Sequence, residues 1–137
     1  MIGLLILAQT DFGIGLLRSA EHVLGNLPSG IEALPIDYEL PQEQLEQAIR
    51  QRLGHLDRGK GVLILADIYG ASHTNTACRL LRKSHVELVS GVNLPMLIRV
   101  LNYRNLDMEG LIAKALTGGP EGIVSAPAAL RKAGPDR

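Results

Sequence analysis

Hydrophobic positions along the chain fall into blocks of two kinds. Met1 to Ala8 (MIGLLILA) and Gly61 to Ala66 (GVLILA) are continuous apolar runs, and each stops at a polar cluster, Gln9–Thr10–Asp11 in one case and Asp67 in the other. Such runs suit strands buried on both faces, as in a parallel sheet. Between them the apolar residues recur at helical spacing. Leu16, Leu17, Ala20, Val23 and Leu24 predict a helix over Gly13 to Leu24, with Asp11 as N-cap and Gly25 as C-cap. Leu45, Ala48, Ile49, Leu53 and Leu56 predict another over Pro41 to Leu56, with Pro41 at its first helical position.

Weaker signals complete the pattern. Ile31 to Ile36 reads as a strand whose Pro35 argues for an edge position or an early end. Val86 to Ser90 and Gly122 to Ser125 read as two further strands. Helices are expected over His73 to Arg82, Met96 to Asn102 and Asp107 to Leu116, the last broken by Gly118, Gly119 and Pro120. The order β-α-β-α-β-α-β-α-α-β predicts an α/β fold, a doubly wound and mainly parallel sheet with helices on both faces. Residues 1–126 are expected to form one domain, and the polar, proline-bearing segment 127–137 a loose tail.

Composition narrows the function. The chain has 137 residues, enough for one domain with a sizeable core. Fourteen basic residues balance fourteen acidic ones, and aromatics make up only 3%. Nucleic-acid binding is disfavoured, because readers of single strands need a basic surface and stacking rings. Cys78 is the single cysteine, so no intramolecular disulfide can form, which suits a cytoplasmic protein. The first apolar run is far short of the ~20 residues that span a bilayer and lacks the basic start of a signal peptide. No dinucleotide or P-loop fingerprint is present, and no metal-ligand spacing stands out, so no cofactor is expected. His22 and His55 on helices and His85 at a strand entrance read as solvent-facing or core-edge residues rather than ligands.

Candidate chemistry gathers at the ends of the two strongest strands. In a doubly wound sheet ligands bind beyond the carboxyl ends of the strands, at the switch point. Gln9–Thr10–Asp11 would there face Asp67 and the loop Tyr69–Gly70–Ala71–Ser72–His73–Thr74–Asn75. Asp67 can serve as a turn acceptor or can orient a histidine, as the acid of a catalytic triad does. Ser72 can cap the following helix by accepting from the Asn75 N–H, or can donate to a phosphoryl oxygen. A helix N-terminus at this loop favours an anion.

Four segments carry a resemblance. MIGLLILAQTDFGIGLLRSAEHVLG, GVLILADIYGASHTNTACRL, SGVNLPMLIRVL and TGGPEGI, in order from Met1 to about Ile123, are similar to enzyme IIA domains of the mannose/fructose family of the sugar phosphotransferase system. The resemblance implies a homodimeric cytoplasmic phosphocarrier. It would take a phosphoryl group onto a histidine from the histidine-containing phosphocarrier protein. It would pass the group to a IIB protein, touching the membrane only through a permease complex. It also implies that the last short strand, here Gly122 to Ser125, is exchanged between the subunits of a dimer.

The chain departs from the family at the acceptor. The family motif Thr-His-Gly stands here as Ala8–Gln9–Thr10, so Gln9 replaces the histidine, and an amide cannot carry a transferable phosphoryl group. Asp67 matches the family acid that holds that histidine, and Thr10, Ser72 and Asn75 are the candidates to hold a phosphoryl group. His73 stands where the family commonly has proline. It reads first as an exposed first-turn residue and second as a substitute acceptor. Three functions follow: a partner-binding regulator that relays no phosphate, an active carrier using His73, or a module that binds a small molecule or anion in the same cleft. Whether the chain is an enzyme turns on that choice.

Overall fold

The computed structural model describes residues 1–81 and 85–133. Four strands, β1 (Gly3–Gln9), β2 (Ile31–Ile36), β3 (Val62–Ala66) and β4 (Val86–Ser90), form one sheet in the order β2-β1-β3-β4, with every pair parallel. Helices α1 (Phe12–Leu24), α2 (Gln42–Leu56), α3 (Ser72–Leu80), α4 (Leu94–Asn102), α5 (Met108–Glu121) and α6 (Ala126–Ala133) complete the described chain.

The apolar runs are central because both of their faces are covered. On one face Leu4, Ile6, Ala8, Leu63 and Leu65 pack with α1, α4 and α5 through Ala20, Leu97, Val100, Leu111 and Ala115. On the other face Leu5, Leu7, Val62 and Ile64 pack with α2 and α3 through Leu45, Ile49, Leu53, Ala77 and Leu80. Alternate residues of one strand thus serve two cores, as the period of two requires. The strand carrying Pro35 lies at the edge, as its proline predicts.

From β1 the chain crosses to β2 on one side and then to β3 on the other. The order therefore reverses between β1 and β3, and the carboxyl ends of those two strands border the crevice of the switch point.

Three boundaries differ from expectation. Helix α5 does not break at its glycines but continues to Glu121. A Cβ on Gly118 would stand 2.8 Å from the Arg99 Cβ and one on Gly119 3.1 Å from the Met96 Cε. Both glycines are therefore the close-approach surface between α4 and α5. Pro120 falls in the last turn, where it removes one helical hydrogen bond and interrupts nothing further. The segment after α5 forms no strand within the chain: residues 123–125 lack regular structure, and Ile123 and Val124 are 77% and 67% exposed. The segment read as loose contains α6, whose described side chains are exposed except for half-buried Ala128. The expected helix end at Arg82 and the tail residues 134–137 lie outside the described residues.

Charge also enters the interior. Arg104, in the turn between α4 and α5, is buried and donates from Nε and Nη2 to the Ile2 carbonyl, from Nη1 to the Ser29 carbonyl and from Nη2 to the Gly30 carbonyl. Burial draws its pKa below the usual arginine value. This side chain ties the entrances of β1 and β2 together at the end of the sheet opposite the crevice.

Candidate functional site

Strand β3 ends at Ala66, and the next residue projects a carboxylate into the crevice. Asp67 Oδ2 accepts the backbone N–H of Gln9 at 3.0 Å, which joins the ends of β1 and β3. Asp67 Oδ1 accepts the Ile68 N–H at 2.8 Å and lies 2.7 Å from His73 Nε2. Burial pushes the Asp67 pKa up, but the Gln9 N–H, the His73 ring and the Ile68 N–H outweigh it and hold the group below the usual carboxylate value. An ionised carboxylate only accepts, so His73 Nε2 carries the hydrogen that it donates.

The placement of His73 overturns the expectation of an exposed first-turn residue. Its side chain is 0% exposed. Helix α3 opens with Ala71 as N-cap and Ser72 at the first position, which turns the second residue, His73, inward over the end of the sheet. Tyr38, in the turn after β2, covers the ring edge-on at a centroid distance of 6.1 Å. Its hydroxyl lies 3.4 Å from His73 Nδ1, a long hydrogen bond. Burial first, and then the charge of Asp67, raise the Tyr38 pKa. A row of three groups results, Tyr38–His73–Asp67, joining the turn after β2 to the end of β3.

Ser72 does not cap α3, because Ala71 holds that place and it is the Ala71 carbonyl that accepts the Asn75 N–H at 3.0 Å. Ser72 is exposed on the first turn, and so is Asn75, whose side-chain amide reaches the Gly70 carbonyl at 3.5 Å. Asp11 occupies the N-cap of α1 without a side-chain hydrogen bond to it. Gln9 is half-buried at the rim, and its side-chain amide has no hydrogen-bond partner among the described residues. Thr10 is exposed at φ +50°, in the left-handed region that a β-branched residue rarely enters. The crevice thus brings Gln9, Asp67 and His73 together through hydrogen bonds. Thr10, Ser72 and Asn75 stand at its exposed rim.

Sequence reasoning missed Tyr38. The available signal was compositional: the chain has one Phe and three Tyr. Three of these four, Phe12, Tyr38 and Tyr69, are exposed on segments that leave the carboxyl ends of the strands, with Leu40 and Ile68 exposed beside them. The same segments, 9–12, 37–41, 67–71 and 91–93, carry Asp11, Asp37, Glu39 and Asp67 and contain no Lys or Arg. The mouth of the crevice is therefore acidic and aromatic. Among the described residues no group of three or more His, Cys, Asp or Glu side chains is placed to hold a metal. No described helix is long and apolar enough to cross a membrane.

Comparison with known proteins gives consistent matches. Residues 3–116 match the family described as the PTS system fructose IIA component. A mannose-specific EIIAB component of Escherichia coli K12 is 39% identical over 114 residues, 79% of this chain and 34% of that protein. The chain thus spans about a third of the length of that relative. A fructose-specific EIIA component of Bacillus subtilis is 30% identical over 105 residues, 76% of this chain and 71% of its own. Among solved structures, a phosphotransferase component EIIA from Streptococcus agalactiae superposes with a TM-score of 0.83 at 24% identity, covering 93% of this chain and 99% of its own. A sugar phosphotransferase permease component from Klebsiella pneumoniae gives 0.78 at 30% identity, covering 93% of each chain.

Proposed function

The chain belongs to the fructose/mannose enzyme IIA family of the sugar phosphotransferase system, and from that premise we propose that it works by binding partners and relays no phosphate through position 9. The carrying observation is that the crevice offers no reactive imidazole. Gln9 supplies an amide, and the one histidine near it is fully buried with Nε2 on Asp67 and Nδ1 beside the Tyr38 hydroxyl. A phosphoryl acceptor needs a free ring nitrogen that a donor can approach in line. The charge of the mouth supports the same reading. A transferred phosphoryl group would meet Asp11, Asp37, Glu39 and Asp67 with no cation on the same segments. Exposed Phe12, Tyr38, Leu40, Ile68 and Tyr69 suit a protein contact instead.

By family, the partners are the histidine-containing phosphocarrier protein and a IIB protein, met in the cytoplasm. The protein is a homodimer in which Gly122 to Ser125 crosses to the other subunit. Three features support the exchange. Ile123 and Val124 are exposed, the outer edge of β4 has no strand partner among the described residues, and a groove of about 450 Å³ beside that edge is lined by Leu88, Val89, Ile112 and Leu116. An exchanged strand would cover an edge that is otherwise open to aggregation.

The test is incubation of the protein with phosphoenolpyruvate, enzyme I and the histidine-containing phosphocarrier protein, followed by intact mass. The expected result is no phosphoryl adduct beside a labelled control IIA protein. One observation favours a second reading, in which His73 is the acceptor: its imidazole is held by a carboxylate, as an acceptor should be. That reading requires Tyr38 to swing away. It predicts an acid-labile adduct that disappears in His73→Ala and survives in His22→Ala. Phosphate-dependent melting with no partner binding would instead favour an anion-binding module.

A further inference from the structure

Asp67 is already engaged as a histidine-orienting acid, but by a histidine from the wrong place. Its Oδ1 holds two donors, His73 Nε2–H and the Ile68 N–H, which fills both lone pairs of that oxygen. Its Oδ2 holds the Gln9 N–H and keeps one lone pair beside the β1 backbone. An imidazole placed on position 9 would therefore meet a carboxylate that three donors share. The lone pair left on Oδ2 could still receive the ring, but a carboxylate whose charge is already spread over three donors raises the basicity of that ring less.

We infer that His73 is the positioning residue that limits how fast position 9 can accept a phosphoryl group: while its ring holds Asp67, a histidine restored at position 9 takes phosphate more slowly than it does once His73 is removed. The inference rests on the reading that the native chain takes no phosphate at position 9, and it adds that His73 as well as Gln9 stands between this crevice and full competence. In the transfer at issue the P–N bond to the donor's imidazole breaks and a P–N bond forms to the free ring nitrogen on position 9. The donor nitrogen recovers its electron pair, and the hydrogen on the other ring nitrogen of the acceptor stays where Asp67 holds it. A carboxylate that also holds His73 gives that last hydrogen a weaker partner.

The local backbone suits the removal of His73. It is the second residue of α3, and its backbone N–H is among those left unpaired at a helix start. Helix α4 carries Pro95 at the same second position after Leu94, so His73→Pro asks for a start that this chain already uses. His73→Ala serves as a second variant in case Tyr38 needs a different neighbour.

The experiment compares Gln9→His with Gln9→His/His73→Pro and Gln9→His/His73→Ala under the same relay, each checked for a cooperative melt. Label is read at the peptide that contains position 9. Loss of the carboxylate behind a metal-bound imidazole costs about 10–100-fold; by that analogy, sharing the carboxylate should make the single variant label slower than at least one double variant by up to about that factor. Equal rates for single and doubles would overturn the inference, and so would failure of all three beside a labelled control. Labelling of the native chain would sink the earlier functional reading, while the rate comparison at position 9 would still decide this one. Nitrogen NMR of the native chain gives an independent readout. His73 should show a protonated, slowly exchanging Nε2, and a rapidly exchanging ring would overturn the proposal.

Discussion

At the scale of single residues, the crevice stores its specificity in hydrogen bonds to one carboxylate. Asp67 is held below the usual carboxylate value, so it contributes stability above the unfolded value of about 3.8. That contribution is lost as pH falls through the lower folded value. The expected outcome is an acid limb of unfolding below about pH 4 that flattens in Asp67→Asn. The same variant should cost about 1–3 kcal/mol at neutral pH, because the Gln9 and Ile68 N–H groups lose a charged acceptor. Urea midpoints at pH 7 and pH 3 check both parts. Thr10 is the converse case, a residue whose backbone opposes its own side chain. A left-handed conformation costs a non-glycine residue roughly 1–2 kcal/mol, and glycine gives back about 0.5–1 kcal/mol in the unfolded chain. Thr10→Gly should therefore raise stability by up to about 1 kcal/mol, read as a shift of the denaturant midpoint with unchanged slope. A loss of stability would show that Thr10 makes a favourable contact worth more than the strain.

At the scale of elements, local pattern was most legible where the environment was simplest. β1 and β3 are buried on both faces, so their apolar runs announced them, and Pro35 announced the edge. α5 was misread because its glycines were judged by helix propensity, whereas their role is contact with Arg99 and Met96 on α4. The position of His73 was illegible for a related reason. Whether a first-turn residue faces water depends on what covers it, and the cover is Tyr38, 35 residues earlier in the chain. Family resemblance pointed to Asp67 and to Gln9, yet it could not show that another histidine had taken up the acid. Arg104 gave no local sign either, because its partners are the carbonyls of Ile2, Ser29 and Gly30 at the entrances of two strands. Arg104→Met should cost about 1–3 kcal/mol, since it strips the buried Ile2 carbonyl of its guanidinium donors while roughly keeping volume. Thermal melting would check it, and a loss below about 0.5 kcal/mol would mean that water replaces the guanidinium.

At the scale of the molecule, the described single chain ends in elements that find little to pack on. Ile123, Val124 and Leu130 are exposed, while the outer edge of β4 has no strand partner among the described residues. The proposed exchange predicts a dimer by sedimentation at micromolar concentration. Ile123→Asp/Val124→Asp should sediment as a monomer and melt at a lower, concentration-independent temperature. A wild-type monomer would remove the exchange, and a dimer untouched by the double variant would place the interface elsewhere.

The distribution of charge over the chain has a kinetic consequence. Lysines and arginines equal aspartates and glutamates in number, yet the segments at the mouth of the crevice hold carboxylates alone, while at the amino end of β3 Arg58 and Lys60 outnumber Asp57. Zero net charge therefore conceals an electric dipole running along the strands. Such a molecule feels no net pull toward a basic surface at long range, but it is turned by the field as it approaches and meets that surface mouth first. Its association rate with a cationic partner should fall with added salt while its dissociation rate barely changes.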